Sequence, residues 1–307
     1  MNSLLPIVVI AALAAEAWVP KPPLGLDLYL PAPGTNPLTR EKVALGRRLF
    51  GDKRLSRDGT LACVSCHNPK LAFSDGRSLA RGIKGAEGTR NAPALINRGY
   101  GQAFFWDGRA DSLERQALQP ILNPIELGLT VPELENRTGM RAADVAAALA
   151  SYVRTIRSGD SRYDRYVAET GTLNILEKSG MEIFRGKGGC TACHIGPNFT
   201  DEGFHNTGVA WVDGRIIDDG RFTVSGVTRH RGAFKTPTLR EVARTAPYMH
   251  DGSLATLEDV VEFYSQGGRA NPNLDPEIRP RRFSPEEKRA LVAFLKTLSG
   301  KVQEGPS

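Results

Sequence analysis

The residues best equipped for chemistry stand in two short motifs, Cys63-Val64-Ser65-Cys66-His67 and Cys190-Thr191-Ala192-Cys193-His194. Together they use all four cysteines of the 307-residue chain, and with five histidines present about 0.0008 such motifs are expected by chance. Two thiols three positions apart reach both vinyl groups of one haem, and the adjoining imidazole then meets the iron from the same side. The spacing therefore predicts two covalently attached haem c groups. Cys63, Cys66 and His67 hold one, and Cys190, Cys193 and His194 hold the other. A thioredoxin-like redox pair would require a strand running into a helix at the cysteines, and a zinc site more sulfur ligands than each motif offers.

The elements that must position these motifs repeat one plan. A helix carrying Gly46-x-x-Leu49-Phe50 precedes the first motif, and one carrying Gly180-x-x-Ile183-Phe184 precedes the second. Ala148-Leu149 with Tyr152-Val153-Arg154-Thr155-Ile156 matches Ala290-Leu291 with Phe294-Leu295-Lys296-Thr297-Leu298, and Gly159 and Gly300 follow as expected helix stops. Ser284, Pro285 and Glu287 form a capping box for the last helix. Helix, haem motif, long Gly- and Pro-containing loop and terminal helix make a cytochrome c domain, in which the haem supplies much of the apolar core. The expected fold class is all-α, with two cytochrome c-type domains over residues 38–165 and 166–300, each with one covalently bound haem c. Residues 18–37, rich in Pro and Gly, read as an extended arm and 301–307 as a tail, and strand signals are few.

Composition bounds the partners. Hydrophobic residues make up 40% and charged residues 24%, as in a soluble globular chain rather than a disordered or multi-span one. The net charge of +6 is spread along the sequence with no basic run of five, which argues against a nucleic-acid partner. The one long apolar run, Leu4 to Ala15, leads into the small-x-small step Ala15-Glu16-Ala17 and reads as an export signal over residues 1–17. Its uncharged start, Met1-Asn2-Ser3, leaves an uncleaved membrane anchor as the other reading. Either places the rest of the chain outside the cytoplasm.

Further motifs lie between and beyond the two haem motifs. They are Arg90-Asn91-Ala92-Pro93, Phe105-Trp106-Asp107-Gly108-Arg109-Ala110, Leu113-Glu114-x-Gln116-Ala117, Pro120, Asn123-Pro124-Ile125-Glu126, Lys235-Thr236-Pro237-Thr238-Leu239-Arg240 and Thr245-Ala246-Pro247-Tyr248-Met249-His250-Asp251-Gly252. In order and spacing, over residues 38–300, the pattern resembles the bacterial di-haem cytochrome c peroxidase and MauG family. The resemblance implies that His67 is the proximal ligand of the peroxide-binding haem and His194 that of a second haem, which stores or relays electrons. It implies that Glu126 is the distal acid–base carboxylate, that Gln116 and Pro120 belong to the distal pocket, and that Trp106 stands between the haems. It also implies that Asn91, Thr245 and Pro247 supply oxygens to one Ca²⁺.

Each implied role has a physical reason and a plainer rival. A carboxylate above an open iron takes the proton from the bound oxygen of H₂O₂ and returns it to the leaving oxygen, so that water departs. Burial beside haem would hold Glu126 partly neutral. The rival is a helix-capping or surface glutamate, and for Trp106 an ordinary core aromatic. Three oxygens are an incomplete Ca²⁺ shell, so water would complete it. His205, His230 and His250 read as structural hydrogen-bonding groups, and Arg90 and Arg109 either pair with haem propionates or lie at the surface.

Two positions depart from the ordinary peroxidase of this family. Many members carry a second histidine between the first haem motif and the Asn-x-Pro segment, which blocks the first iron until the other haem is reduced. Here Gly82-Ile83-Lys84-Gly85 occupies that stretch, and no histidine follows His67 before His194. The resemblance therefore implies a first haem that is open or water-bound without reductive activation. The distal ligand of the second haem, a methionine in those peroxidases, falls at Tyr264, where MauG-type proteins have tyrosine. A phenolate there would lower that haem's potential and make Fe(IV) more accessible. Met249 is the alternative ligand.

The function implied is a peroxidase-like oxidoreductase of the periplasm that reduces H₂O₂ and works through a high-valent iron state. Its electrons come from a small cytochrome c or cupredoxin, or from a protein side chain oxidised in place. A non-enzymatic di-haem electron carrier is the alternative that the haem motifs alone allow, and Glu126 and the missing blocking histidine argue against it.

Overall fold

The computed structural model describes residues 16–306, so the export segment read at 1–17 lies almost wholly outside the described residues. The chain is largely helical. Its helices are α1 (Arg40–Phe50), α2 (Cys63–Cys66), α3 (Leu113–Leu122), α4 (Val131–Thr138), α5 (Ala142–Arg154), α6 (Arg162–Val167), α7 (Ile175–Arg185), α8 (Phe222–Ser225), α9 (Leu257–Ser265) and α10 (Pro285–Lys296). Six strands of two or three residues pair as β1 (Arg157–Gly159) with β6 (Lys301–Gln303), β2 (Phe204–His205) with β5 (Phe234–Lys235), and β3 (Trp211–Val212) with β4 (Arg215–Ile216), each antiparallel. Among the described residues no helix is long and apolar enough to cross a membrane.

The internal repeat read from the sequence is a repeat of one helix crossing. α1 packs on α5, and α7 packs on α10. At each crossing the helices approach through a glycine: a Cβ on Gly46 would overlap the carbonyl oxygen of Ala148 and lie 2.8 Å from Cβ of Tyr152. A Cβ on Gly180 would overlap the carbonyl oxygen of Ala290 and lie 2.8 Å from Cβ of Phe294. Leu49 and Phe50 in one crossing, and Phe184 in the other, are buried beside it. The starts are capped by side chains, Thr39 accepting from the Lys42 amide and Asn174, Thr256 and Ser284 closing capping boxes with Glu177, Asp259 and Glu287.

The helix ends differ from the expectation. Gly159 and Gly300 are not the stops; α5 and α10 end five and four residues earlier, with Thr155 and Thr297 as C-caps. Each hydroxyl donates to a last-turn carbonyl, Thr155 to Tyr152 and Thr297 to Phe294, both at 2.6 Å, which satisfies a group that the helix leaves free. The two glycines instead let chains meet, since a Cβ on Gly300 would overlap the Gly159 carbonyl. That contact lies at the β1–β6 pairing, so residues 301–307 begin with a strand rather than a free tail. Glu304 then accepts from the Tyr152 hydroxyl and pairs with Arg47.

Two apolar cores form. One runs from Leu30 to Ile156 and contains Phe50, Phe73, Ile121 and Leu149; the other runs from Leu173 to Leu298 and contains Phe184, Phe199, Leu291 and Phe294. Tyr163 and Tyr166 of α6 pack on the second core. Residues 18–37 carry no helix or strand and lie against both units. The Asp160 amide donates to the Leu24 carbonyl at 2.8 Å, and Arg240, 2% exposed, donates to Gly25, to Pro197 and to the Asp164 carboxylate.

Candidate active site

The first Cys-x-x-Cys pair forms the single turn α2, and the second begins a 3₁₀ turn over Cys190–Ala192. No cysteine is in a disulfide. Each histidine is oriented through its Nδ1 atom, which lies 3.1 Å from the Phe73 carbonyl in His67 and 2.9 Å from the Phe199 carbonyl in His194. With Nδ1–H donating, Nε2 is left bare, which is how ligating imidazoles are held. Both accepting residues sit in the left-handed backbone region, at φ 60° and 51°. That costs a non-glycine residue about 1–2 kcal/mol, offset here by burial of both rings. Burial also pushes His67 down to about 4 and lowers His194, so both imidazoles stay neutral, the form that binds metal.

Both motifs line one cavity of about 560 Å³. The same cavity is lined by Glu126, Gln116, Pro120, Trp106, Tyr264, Met249, Asn91, Thr245 and Pro247, so the folded chain brings the expected catalytic, haem-ligating and calcium-binding residues to one space, while His230 lies outside it. Glu126 lies close enough to Cys66 to push its thiol further up, and Tyr264 is raised first by burial and then by Cys193 and Cys190. Four unpaired cysteines in two turns, two neutral imidazoles with free Nε2 atoms and a shared cavity fit haem c at each motif.

Glu126 sits in a turn organised by Asn123. The Asn123 carbonyl accepts from the amides of Glu126 and Gly128 at 3.0 and 2.9 Å, and its side-chain amide donates to Glu126 Oε1 at 2.7 Å. Burial raises the Glu126 pKa, while Asn123 and then Arg109 act against that shift. Pro120, lacking an N–H, opens the ladder of α3 at the Gln116 carbonyl one turn earlier, and its own carbonyl accepts from Leu127 at 3.1 Å. The sequence reading gave Asn123 no role.

The Gly82–Gly85 segment is fastened to this turn. The Ile83 amide donates to the Glu126 carbonyl at 2.9 Å, and a Cβ on Gly82 would overlap the Ile125 carbonyl oxygen and lie 2.8 Å from Glu126 Cα. The buried Ile83 side chain closes the contact, its Cδ1 lying 2.8 Å from where a Cβ of Gly128 would stand.

Trp106 donates from Nε1 to the Asn91 carbonyl at 2.9 Å, and its own carbonyl accepts from the Lys235 amide at 2.8 Å. Asn91 in turn donates from its backbone amide to His250 and from its side chain to the Arg77 carbonyl at 2.6 Å. Among the described residues, Asn91 Oδ1 and the carbonyls of Thr245 and Pro247 accept no hydrogen bond, as oxygens free for a hard cation would be. His250 is buried and stacks on Phe234 at 3.6 Å between centroids. His205 lies between Asp201 and Asp275 at 2.9 and 2.7 Å and is pushed up to about 10 by the neighbouring Cys193 sulfur, Asp275 and Asp201. His230 meets Ser225 Oγ at 2.9 Å. Arg90 and Arg109 are neither free nor at the surface alone. Arg90 clamps Asp218 and Asp107 at 2.7 Å, and Arg109 holds Asp107 at 3.0 Å, because Asp107 is a buried carboxylate that needs both.

A mainly helical chain with two C-x-x-C-H turns opening on one cavity, and a half-buried carboxyl lining it, defines a multi-haem c-type redox protein. The comparisons with known proteins agree. Residues 40–143 match the family described as di-haem cytochrome c peroxidase. The methylamine utilization protein MauG of Methylorubrum extorquens is 43% identical over 88% of this chain and 81% of its own length. The cytochrome-c peroxidase IdrP1 of a Pseudomonas species is 35% identical over 91% of this chain and 86% of its own. Among solved structures, a MauG-like protein associated with microbial copper homeostasis superposes with a TM-score of 0.82 at 38% identity, covering 94% of this chain and 96% of that one. The chain belongs to the di-haem cytochrome c peroxidase and MauG family. It is a di-haem peroxidase-type enzyme.

Proposed function

We propose that the chain reduces H₂O₂ at the centre built around His67 and Glu126, and draws the electrons through a second centre built around His194 and Tyr264, with Trp106 as the relay. Haem c at the two motifs supplies the iron that binds peroxide at the first centre and carries electrons at the second. Cys63 and Cys66, and Cys190 and Cys193, hold the two groups through thioether bonds. The carboxylate of Glu126 takes the proton from one peroxide oxygen and delivers it to the other, and with two electrons and two protons H₂O₂ leaves as two waters. Asn123 holds that carboxyl by its Oε1, and Gln116 and Pro120 shape the wall of α3 that faces the same cavity.

The observation that carries the reading is a half-buried carboxyl, its pKa raised by that burial, in the cavity shared with His67 and on a turn fastened to the segment where a blocking histidine would stand. Asn91, Thr245 and Pro247 hold one Ca²⁺ with water completing the shell, joining the Trp106 anchor to the loop before Tyr248. The two units, residues 38–165 and 166–300, work in the periplasm on a small cytochrome c or cupredoxin, or on a protein side chain in the manner of the MauG-type relatives. Tyr264 favours the second donor.

Glu126→Gln tests the assignment. The variant keeps the cavity and the Asn123 contact but cannot carry the proton, and the rate with peroxide falls by about 10²–10⁴. In the parent the rate falls as pH drops through the raised pKa of Glu126, because the ionised form is the proton acceptor, and the variant loses this limb. A parental rate in the variant would remove Glu126 from the mechanism.

A further inference from the structure

One buried ammonium in the cavity has no role in the activity described above and shares its nearest counter-charge with an arginine. Lys235 of β5 is 9% exposed in its side chain and lines the cavity beside Trp106, whose carbonyl its backbone amide holds. Its ammonium donates at 2.9 Å to a single neutral acceptor, the Thr236 carbonyl. The nearest carboxylate, Glu202, lies 3.7 Å away, and both of its oxygens are already taken by Arg98 at 2.7 and 3.0 Å. Arg98 and Lys235 therefore share the one carboxylate of Glu202, and Asp201, the next acid to act on Lys235, is engaged by His205 at 2.9 Å.

Other cations of the cavity wall are paired, whether buried as Arg240 is, partly buried as Arg90 is, or exposed as Arg109 is. Arg90 and Arg109 are held by Asp107, and Arg240 by Asp164. Arg279 is exposed and Arg281 partly so, where water serves them. A buried ammonium with one neutral acceptor and a shared carboxylate is costly, and burial accordingly pushes Lys235 down to about 7. An anion placed in the cavity would remove that cost and restore the charge.

We propose that Lys235 is the counter-ion for a propionate of the haem held by His194. The inference rests on the reading of the two motifs as haem sites. The choice between the two groups follows from the backbone: Lys235 pairs across β2–β5 with Phe204, the Thr236 amide donates to the Gly203 carbonyl at 2.9 Å, and the same loop is tied to the second motif by the Asp201 amide donating to the Cys193 carbonyl at 2.8 Å. The pair gives Lys235 a carboxylate it need not share with Arg98, and ties the second cofactor to the strand that carries the Trp106 contact.

The test uses as-isolated holoprotein with Lys235→Met, which fills the same volume without a charge, and Lys235→Arg, which keeps one. In Lys235→Met the propionate-bending band in the resonance Raman spectrum shifts for one haem, and its reduction potential falls because the ferric state no longer opposes a fixed positive charge. Lys235→Arg keeps the parental band and potential. A band unmoved in Lys235→Met overturns the proposal and leaves Lys235 as a partner of Glu202 alone. Both spectra are read without peroxide, so the outcome is independent of Glu126, whereas a parent protein with no haem spectrum would overturn the haem reading and this inference together.

Discussion

The backbone amide of Ile83 donates to the carbonyl of Glu126 at 2.9 Å, and the glycine before it has no room for a side chain against Ile125. The segment that could carry a blocking ligand is thus part of the wall that holds the carboxyl proposed as the acid–base group. Gly82→Ala forces the two strands of backbone apart. A displacement of about 1 Å at a catalytic group costs about 10²-fold in rate, and the peroxide reaction of the variant falls by that order. As Glu126 moves toward water its pKa returns toward the ordinary carboxylate value, so the acid limb of the pH–rate profile moves to lower pH. A variant with both rate and profile unchanged would show that the contact positions nothing.

The repeated helix crossing makes a stability prediction. Gly180→Ala places a methyl against the Ala290 carbonyl, and the gain of about 1 kcal/mol in helix propensity does not offset overpacking of about 1–3 kcal/mol. Denaturant unfolding of the holoprotein is expected to show a net loss of stability, and equal or greater stability would mean that the α7–α10 approach relaxes freely.

On the proposed reading of the second centre, Tyr264→Met replaces an anionic oxygen ligand by a neutral thioether. The second haem's reduction potential rises and its low-spin spectrum changes, as redox titration and visible spectroscopy would record. If both stay as in the parent, Tyr264 is not a ligand and Met249, which lines the same cavity, takes its place.

The helix repeat was legible because glycine and aromatic positions recur with helical spacing, and the same residues make both crossings. Ser284 with Glu287 was legible because a capping box is a local pattern. The ends of α5 and α10 were not, since Thr155 and Thr297 bond to backbone carbonyls that compete with the usual glycine stop. β1 and β6 have three residues each, too few for an alternation to show. In the site, the chemistry-bearing types announced themselves, but the partners that orient them did not. The Phe73 and Phe199 carbonyls, the Ile83 amide and the Arg98–Glu202–Lys235 cluster join residues through backbone atoms or across long stretches of chain, where side-chain type carries no trace of the contact.

The central claim is a first haem site that is ready for peroxide in the resting protein, and rapid mixing of H₂O₂ with as-isolated diferric protein tests it most directly. The account predicts a reaction without any added reductant, and a resting EPR spectrum with one high-spin ferric haem beside one low-spin haem. Two low-spin signals, with no reaction until one electron has been supplied, would contradict it.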